Sequence, residues 1–508
     1  VSTEASIPEN LPQWVAAQRW YADKGSIPRF ERIGGWRIDR PAVVITTHYL
    51  LDHGAGRATL YQVPLTERAE QLEGVLPVAT IGDAGTASER FIYDAPADPA
   101  YAEALLEVML SNSELADSSP EASAGTINTV SGHRQPGAAP VEVTGSHVLR
   151  GEQSNTSIIV DVVSGPPVII KVFRALHHGE NPDVTLQSAI AAAGSALVPR
   201  SIGAIEGSWS DSGRPNGRAT GHLAFAQEFL PGVEDAWRVA LQSAEADEDF
   251  TAKAHKLGVA TAEVHSVLAA ALPTRVATSA DIDATLASMR LRHAAAEAEV
   301  PSLAEYHVAI EHIYEAARLA SWPALQRIHG DYHLGQVLWV HGRGWVLLDF
   351  EGEPMRPMAE RSELDLTLRD VAGMLRSFDY VAGSVAQNAL VAASALAASA
   401  PAASASASAS ASATSPTDGP VSPAAAASSA VRWAEAARLA FMDGYTERSG
   451  FDLRAHRLLL DAFEIDKALY EAVYEARNRP AWIDIPVSAI GRLAAHDPAS
   501  GVHNAEYI

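Results

Sequence analysis

Apolar and polar positions alternate through Ala42-Val43-Val44-Ile45-Thr46-Thr47 and again through Ala58-Thr59-Leu60-Tyr61-Gln62-Val63. This period of two predicts a pair of half-buried strands, with the turn residues Asp52-His53-Gly54-Ala55-Gly56 between them. Residues 11–20 carry a helical period beginning near Pro12, and residues 101–111 predict a second helix. A Gly/Ser/Pro-rich passage at about 117–140 reads as a loop or junction. From Val141 the pattern predicts strands over 143–149, 157–163, 168–173 and 224–230, the last ending at Pro231-Gly232. Asn181-Pro182-Asp183 has the form of a capped helix start, with Pro in the first turn. Beyond residue 232 the helical period dominates. Residues 383–430 are an Ala/Ser segment interrupted by Pro401, Pro416, Pro420 and Pro423, with little apolar bulk to offset ordering entropy. It predicts a mobile surface insertion between two helices, a collapsed helical hairpin being the alternative.

The boundaries expected are a cap subdomain over 1–100, a β-rich subdomain over 101–232 and a helical lobe over 233–508. A chain of 508 residues exceeds one compact core, and its 47% hydrophobic content supports folding. No run of 18 apolar residues occurs, and no basic-then-apolar leader is visible. The chain has no cysteine, which removes disulfides, thiolate metal sites and thiol nucleophiles. A cytoplasmic monomer is the expectation. The formal charge of −24 argues against nucleic-acid or anionic-membrane partners and is compatible with a cationic small molecule.

The most specific chemistry lies in Ile328-His329-Gly330-Asp331-Tyr332-His333-Leu334-Gly335-Gln336, followed by Leu347-Leu348-Asp349-Phe350-Glu351. A carboxylate on a tight loop precedes an amide by five residues, and a second carboxylate closes an apolar strand. Phosphoryl transfer needs alignment and charge compensation more than covalent help. Asp331 is therefore the candidate base. Gln336, Asp349 and Glu351 are the candidate Mg2+ ligands, and ATP is the expected donor. Gln336 stands where an Asn is usual, one methylene longer. His329 and His333 are expected to hydrogen-bond within the loop, with His333 also facing the acceptor. Lys171 sits in the apolar run Val168-Ile169-Ile170-Lys171-Val172-Phe173, where an unpaired ammonium is costly, so a phosphate role is expected. Gln153, Ser154, Asn155 and Thr156, in the turn before the second strand, offer backbone N–H groups and hydroxyls to phosphates. Gln227, Glu228 and Phe229 stand where a hinge would offer backbone groups to adenine. Asp83-Ala84-Gly85-Thr86-Ala87 approximates another phosphate loop but reads as an ordinary turn.

The order Lys171, His329-Gly330-Asp331, Gln336, Asp349 resembles the aminoglycoside-phosphotransferase branch of the kinase-like fold. Asp349-Phe350-Glu351-Gly352-Glu353-Pro354, the stretch Arg369-Asp370 to Phe378-Asp379-Tyr380, and the stretch Tyr470-Glu471 to Arg479-Pro480 narrow the resemblance to bacterial maltokinases and actinobacterial glucosamine kinases. It implies an α+β, bilobal protein-kinase-like fold with an N-terminal cap subdomain and a mostly helical C-terminal lobe, using ATP and magnesium. Two departures stand out. The insertion is unusual for a maltokinase. Where this fold commonly supplies a Glu partner for the lysine, the helix offers Thr185 and Gln187, with Asp183 or Glu180 as substitutes.

The acceptor is expected on helices facing Asp331. Trp433 is a candidate platform for a pyranose, and Glu435 and Asp443, eight residues apart, share a helix face suited to an ammonium and hydroxyls. The expected reaction is phosphorylation of D-glucosamine at its 6-hydroxyl. Maltose 1-phosphorylation is the alternative, and an inactive nucleotide- or sugar-binding pseudokinase the second.

Overall fold

The computed structural model describes residues 7–54, 58–116, 129–149, 155–353, 356, 358–399 and 422–495. The chain divides into two compact units, residues 1–232 with 354–362, and residues 233–353 with 363–508.

The first unit begins with helix α1 (Leu11–Ala16) and the strands β1 (Phe30–Arg40), β2 (Val43–Asp52), β3 (Thr59–Arg68), β4 (Ala79–Ile81) and β5 (Arg90–Asp94). They form an antiparallel sheet in the order β1-β2-β3-β5-β4. Alternation decides its packing. Leu50, Tyr61, Val63 and Leu65 face a core with Leu11 and Val15 of α1. Val43, Ile45, Tyr49 and Leu60 face the opposite way, into a larger core shared with the next sheet. The cap sheet is thus covered on both faces, which explains why β2 is almost entirely buried. Helix α1 stops before the predicted Trp20 because Trp20 and Tyr21 turn in to pack on Tyr61, at ring distances of 5.8 and 5.6 Å.

Helix α2 (Pro99–Ser111) follows, capped by Asp98, whose buried carboxylate also takes both Arg68 nitrogens at 2.6 and 2.7 Å. The strands β6 (Glu114–Ala116), β7 (Thr129–Arg134), β8 (Val143–Val148), β9 (Asn155–Val162) and β10 (Val168–Phe173) come next. The short β11 (Ala175–Leu176) pairs back onto β3 of the cap. After helix α3 (Pro182–Ala192), β12 (Ser201–Ser210) and β13 (Arg218–Glu228) complete a sheet in the order β6-β7-β12-β13-β10-β9-β8. Strand β13 begins well before residue 224, because its polar first half is held by pairing with β12. Gln62 of β3 donates to the carbonyls of Phe173 and Leu223 at 2.8 and 2.7 Å. Arg174 Nη2 donates to both Asp94 oxygens, at 2.9 and 2.7 Å. These buried polar ties, with the shared core, make the cap and the second sheet one unit. The short helix α8 (Met358–Arg361) belongs to it as well.

In the second unit β14 (Glu234–Asp235), β15 (Val337–Val340) and β16 (Gly344–Leu347) form a small sheet. Around it stand α4 (Ala236–Glu245), α5 (Thr251–Ala271), α6 (Ser279–Glu299), α7 (His307–Leu319), α9 (Leu368–Ser399), α10 (Pro423–Ser449), α11 (Arg457–Asn478) and α12 (Asp484–Ala494). Helices α5 and α10 meet closely through Gly258 and Gly444. A Cβ at either would lie about 2 Å from a backbone oxygen of the other helix, at 2.0 and 2.1 Å. The predicted insertion is shorter than its low-complexity composition. Residues 383–399 continue α9 and residues 423–430 open α10, with Val385 and Ala430 buried. Alanine's helix propensity carries these flanks, and residues 400–421 lie outside the described residues. None of the described helices is long and apolar enough to cross a membrane.

Candidate active site

The loop leading into β15 is shaped by one buried acid. Gly330 adopts φ +84°, a left-handed conformation that glycine reaches without a Cβ penalty. This turn aims the backbone N–H groups of His329 and Gly330 at the two oxygens of Asp370 on α9, each at 2.9 Å. His265 of α5 holds the same carboxylate from Nε2 at 2.9 Å and is itself bonded through Nδ1 to the Tyr445 hydroxyl at 3.0 Å. Burial works to raise the Asp370 pKa. The His265 hydrogen bond and charge, the charge of His329, and the Gly330 N–H outweigh it and hold the carboxyl below its ordinary value.

The same face of α9 grips the loop twice more. A Cβ at Gly373 would lie 2.5 Å from the Tyr332 carbonyl, so the helix passes against the loop backbone. One turn on, the Ser377 hydroxyl accepts the Leu334 N–H at 3.1 Å. Residues 370, 373 and 377 are thus one helical stripe under the loop. His329 bonds the Leu348 carbonyl from Nε2 at 2.8 Å, and His333 Nδ1 accepts the Gly335 N–H at 3.1 Å. Both histidines therefore serve the loop. Burial lowers the His333 pKa, and the bond to Gly335 leaves the remaining proton on Nε2.

Asp331 projects from this frame half-buried, and its Oδ1 lies 3.1 Å from Lys467 Nζ on α11. The ammonium also donates to Glu353 at 2.9 Å and lies over the Tyr470 ring at 4.9 Å. Burial disfavours a charged Lys467, but the field of Glu353, Asp331 and Glu471 prevails and raises its pKa. The charge therefore stays in place at neutral pH.

Helix α11 is set by ion pairs with α9. Arg376, fully buried, reaches Glu471 and Asp379 at 2.8 and 2.7 Å, and Tyr380 reaches Glu475 at 3.2 Å. Arg369 and Arg292 converge on Asp466. The two long stretches that carried the family resemblance are thus paired in one scaffold, and Lys467, three residues before the second, stands beside Asp331.

The hairpin β15–β16 pairs Val337 with Leu347 and returns the chain to Asp349. Asp349 holds φ +60°, a conformation in which Asp is among the more tolerant non-glycine residues. Gln336 Nε2 donates to Asp349 Oδ2 at 3.1 Å, leaving the amide oxygen as an acceptor. Carboxylate oxygens of Asp349 and Glu351 lie within 4.8 Å of each other. These carboxylates, with the amide oxygen of Gln336, are all oxygen donors, the chemistry that fits a hard cation such as Mg2+.

The first unit holds Lys171. On β10 it lies between Ser157 and Phe225 in register, and its Nζ meets Asp183 Oδ2 at 2.8 Å. Asp183 stands in the first turn of α3, wholly buried. Its backbone N–H is capped by Asn181 at 2.9 Å, and its other oxygen accepts from Gln187 at 2.5 Å. The acidic partner is therefore Asp183. Thr156 is buried and accepts from Arg174 Nε at 2.8 Å, which corrects its assignment to phosphate. Asn155 opens β9, and Gln153 and Ser154 lie outside the described residues. At the end of β13, Gln227 is buried, and the N–H groups of Glu228 and Phe229 donate to Arg200 and Pro167 carbonyls at 2.9 and 2.8 Å. Those two N–H groups are consumed by the fold and are not hinge donors.

The acceptor candidates on α10 fare differently. Trp433 is 7% exposed, packs on Phe250 at 5.3 Å and donates to the Ser243 hydroxyl at 3.2 Å. It is a core residue, not an open sugar platform. Glu435 and Asp443 are both exposed, and Asp443 pairs with Arg454 at 2.9 Å. The contact onto Asp331 comes instead from α11. Lys467 was not named from sequence, and Glu353 and Asp370 were named only within the motifs of the resemblance, with no role at the site. The available signal was a lysine in an acidic, apolar-striped helix, Asp466-Lys467 to Glu471 and Glu475.

Residues 14–98 match the maltokinase N-terminal cap domain, and residues 148–403 match the phosphotransferase enzyme family. A glucosamine kinase of Streptacidiphilus jiangxiensis is 29% identical over 371 residues, covering 69% of this chain and 73% of that protein. A glucosamine kinase of Mycolicibacterium smegmatis (strain ATCC 700084 / mc(2)155) is 26% identical over 379 residues, covering 69% of this chain and 79% of that protein. The solved structure of a glucosamine kinase in complex with glucosamine, ADP and inorganic phosphate superimposes with a TM-score of 0.61. The match spans 96% of this chain and 100% of that one, at 22% identity. That likeness establishes the shared fold.

Proposed function

This chain belongs to the phosphotransferase enzyme family, and we propose that it transfers the γ-phosphoryl group of ATP to the 6-hydroxyl of D-glucosamine. The observation that carries the acceptor is the similarity, over more than two thirds of the chain, to glucosamine kinases of two organisms. The geometry around Asp331 supports the reaction type.

Asp331 receives the hydrogen bond of the attacking hydroxyl and takes its proton as the new O–P bond forms and the bond to the β-phosphate oxygen breaks. Lys467, anchored by Glu353, fixes the carboxylate so that one oxygen faces the acceptor. The Nε2–H of His333 is assigned to the acceptor's oxygens. Glu435 is retained as an outer contact for the ammonium. Lys171, oriented by Asp183, binds the phosphates of the nucleotide. Gln336, Asp349 and Glu351 would hold Mg2+, which offsets phosphate charge.

Maltose is the second reading, favoured by the maltokinase-type cap. ADP release measured in parallel with D-glucosamine, D-glucose, maltose and an aminoglycoside decides between them, with the phosphorylated carbon identified by NMR. Turnover on D-glucosamine giving the 6-phosphate is expected; turnover on maltose but not on D-glucosamine overturns the reading.

A further inference from the structure

Away from Asp331, helices α6 and α7 each carry a histidine followed four residues later by a glutamate, His293 with Glu297 and His307 with Glu311. The spacing puts each pair on one helix face. The 3-10 turn Pro301–Tyr306 returns the chain so that the pairs meet, with the His293 and His307 rings 5.2 Å apart and inclined by 29°.

The donors converge on one point. His293 Nε2 lies 3.1 Å from Glu297 Oε1, and His307 Nδ1 lies 2.8 Å from the same oxygen. The His293 side chain is 2% exposed, and its Nε2, despite that short distance, is outside hydrogen-bonding geometry and has no hydrogen-bond partner. A buried imidazole nitrogen without a hydrogen bond, facing a carboxylate oxygen and a second imidazole, is a costly arrangement for a purely polar cluster. A cation at the centre would satisfy all three.

We propose that His293, Glu297 and His307 bind a borderline divalent transition ion of the Zn2+, Co2+ or Ni2+ type, clasping α6 to α7. Two imidazoles and a carboxylate are the donor chemistry of such ions rather than of Mg2+. Tetrahedral ligands at about 2.0–2.1 Å from an ion stand roughly 3.4 Å apart, so the site opens by a few tenths of an ångström on binding. His307 gives up its Nδ1 bond to Glu297, its proton moving to Nε2. Glu311, held by Arg290 at 2.8 Å, lies 4.0 Å from His293 Nδ1, outside the site and beyond hydrogen-bond reach. Arg290 is itself matched by Glu311 and Glu315, which limits its repulsion of the ion. His307 is half-exposed, so an ion enters from solvent, and water completes the coordination.

The test is titration of the full, chelator-treated chain with Co2+, read by the visible absorption of tetrahedral cobalt, followed by displacement with Zn2+. A single ion per chain is expected, with the signal retained in Asp349→Asn. Affinity should fall at least roughly 10–100-fold in His307→Ala and in Glu297→Gln, while kinase turnover is unchanged in both. Zn2+ should raise the melting temperature of the parent chain but not of His307→Ala. Absence of the cobalt bands, or bands that survive both substitutions, overturns the proposal and leaves a hydrogen-bonded clasp only.

Discussion

Two lysine–aspartate pairs stand in the two units, and they are built in opposite senses. In the first unit Asp183 is wholly buried and locked by Asn181 and Gln187, while the Lys171 side chain retains 12% exposure. There the buried carboxylate holds an ammonium that stands in an apolar strand. In the second unit the lysine serves the carboxylate. Lys467 is anchored by Glu353 at 2.9 Å and reaches Asp331 at 3.1 Å, the carboxylate to which the proposed function gives the chemistry. The same ion pair is thus built in two settings, and the proposed function gives the first to the nucleotide phosphates and the second to the base.

Breaking each pair from the lysine side should separate these roles. Lys467→Met should lower kcat by roughly 100–1000-fold, the scale of losing a positioned polar contact in a transition state. Its ATP affinity should be unchanged by calorimetry. Lys171→Met should instead weaken ATP binding at least tenfold, with the acceptor KM altered little. A Lys467 variant that loses nucleotide affinity while retaining kcat would reverse the comparison.

The scaffolds beneath the pairs give smaller effects. Trp433→Ala should cost about 3–5 kcal/mol of stability through lost core packing, read by denaturant unfolding, with the acceptor KM unchanged at a permissive temperature. A selective rise in KM without destabilisation would restore Trp433 as a sugar platform.

In the cap, burial, aided by the charge of Arg32, lowers the His48 pKa to about 3. With an unfolded value near 6.5, the neutral ring contributes stability that is fully present above about pH 6.5 and is lost as pH falls toward 3. Between about pH 6.5 and 4.5 the loss should be on the order of 2–3 kcal/mol. His48→Gln should flatten that part of the stability–pH curve, whatever its effect at neutral pH. An unchanged slope would contradict a buried neutral His48.

The candidate loop and Lys171 could be singled out in the sequence because their signals are local. Five residues separate Asp331 from Gln336, and one polar residue interrupts an apolar strand. The supports were not legible because they arrive from far along the chain. Asp370 lies 41 residues from the His329 N–H it accepts, and Lys467 lies 136 residues from Asp331. No periodicity reports such a meeting. Asp183 was named as one of two substitutes for a missing Glu, and only the packing of α3 on β10 selects it. Trp433 was misread although the signal was present. Ala430, Trp433, Ala437, Phe441 and Tyr445 are all buried and recur every three or four residues. That spacing marks a core stripe, against which an aromatic beside an acid is weak evidence for a sugar. Two of the expected hinge donors are ruled out for another reason. Strand-end backbone groups look free in sequence, yet here the N–H groups of Glu228 and Phe229 are spent on neighbouring carbonyls.

The most direct test of the account is Asp331→Asn, assayed for ATP-dependent phosphorylation of D-glucosamine alongside nucleotide binding. The substitution keeps the shape of the side chain and removes its charge and its capacity to take a proton. We predict a fall in turnover of roughly 100–10,000-fold, with ATP affinity retained. Turnover close to that of the parent chain would contradict the role given to Asp331.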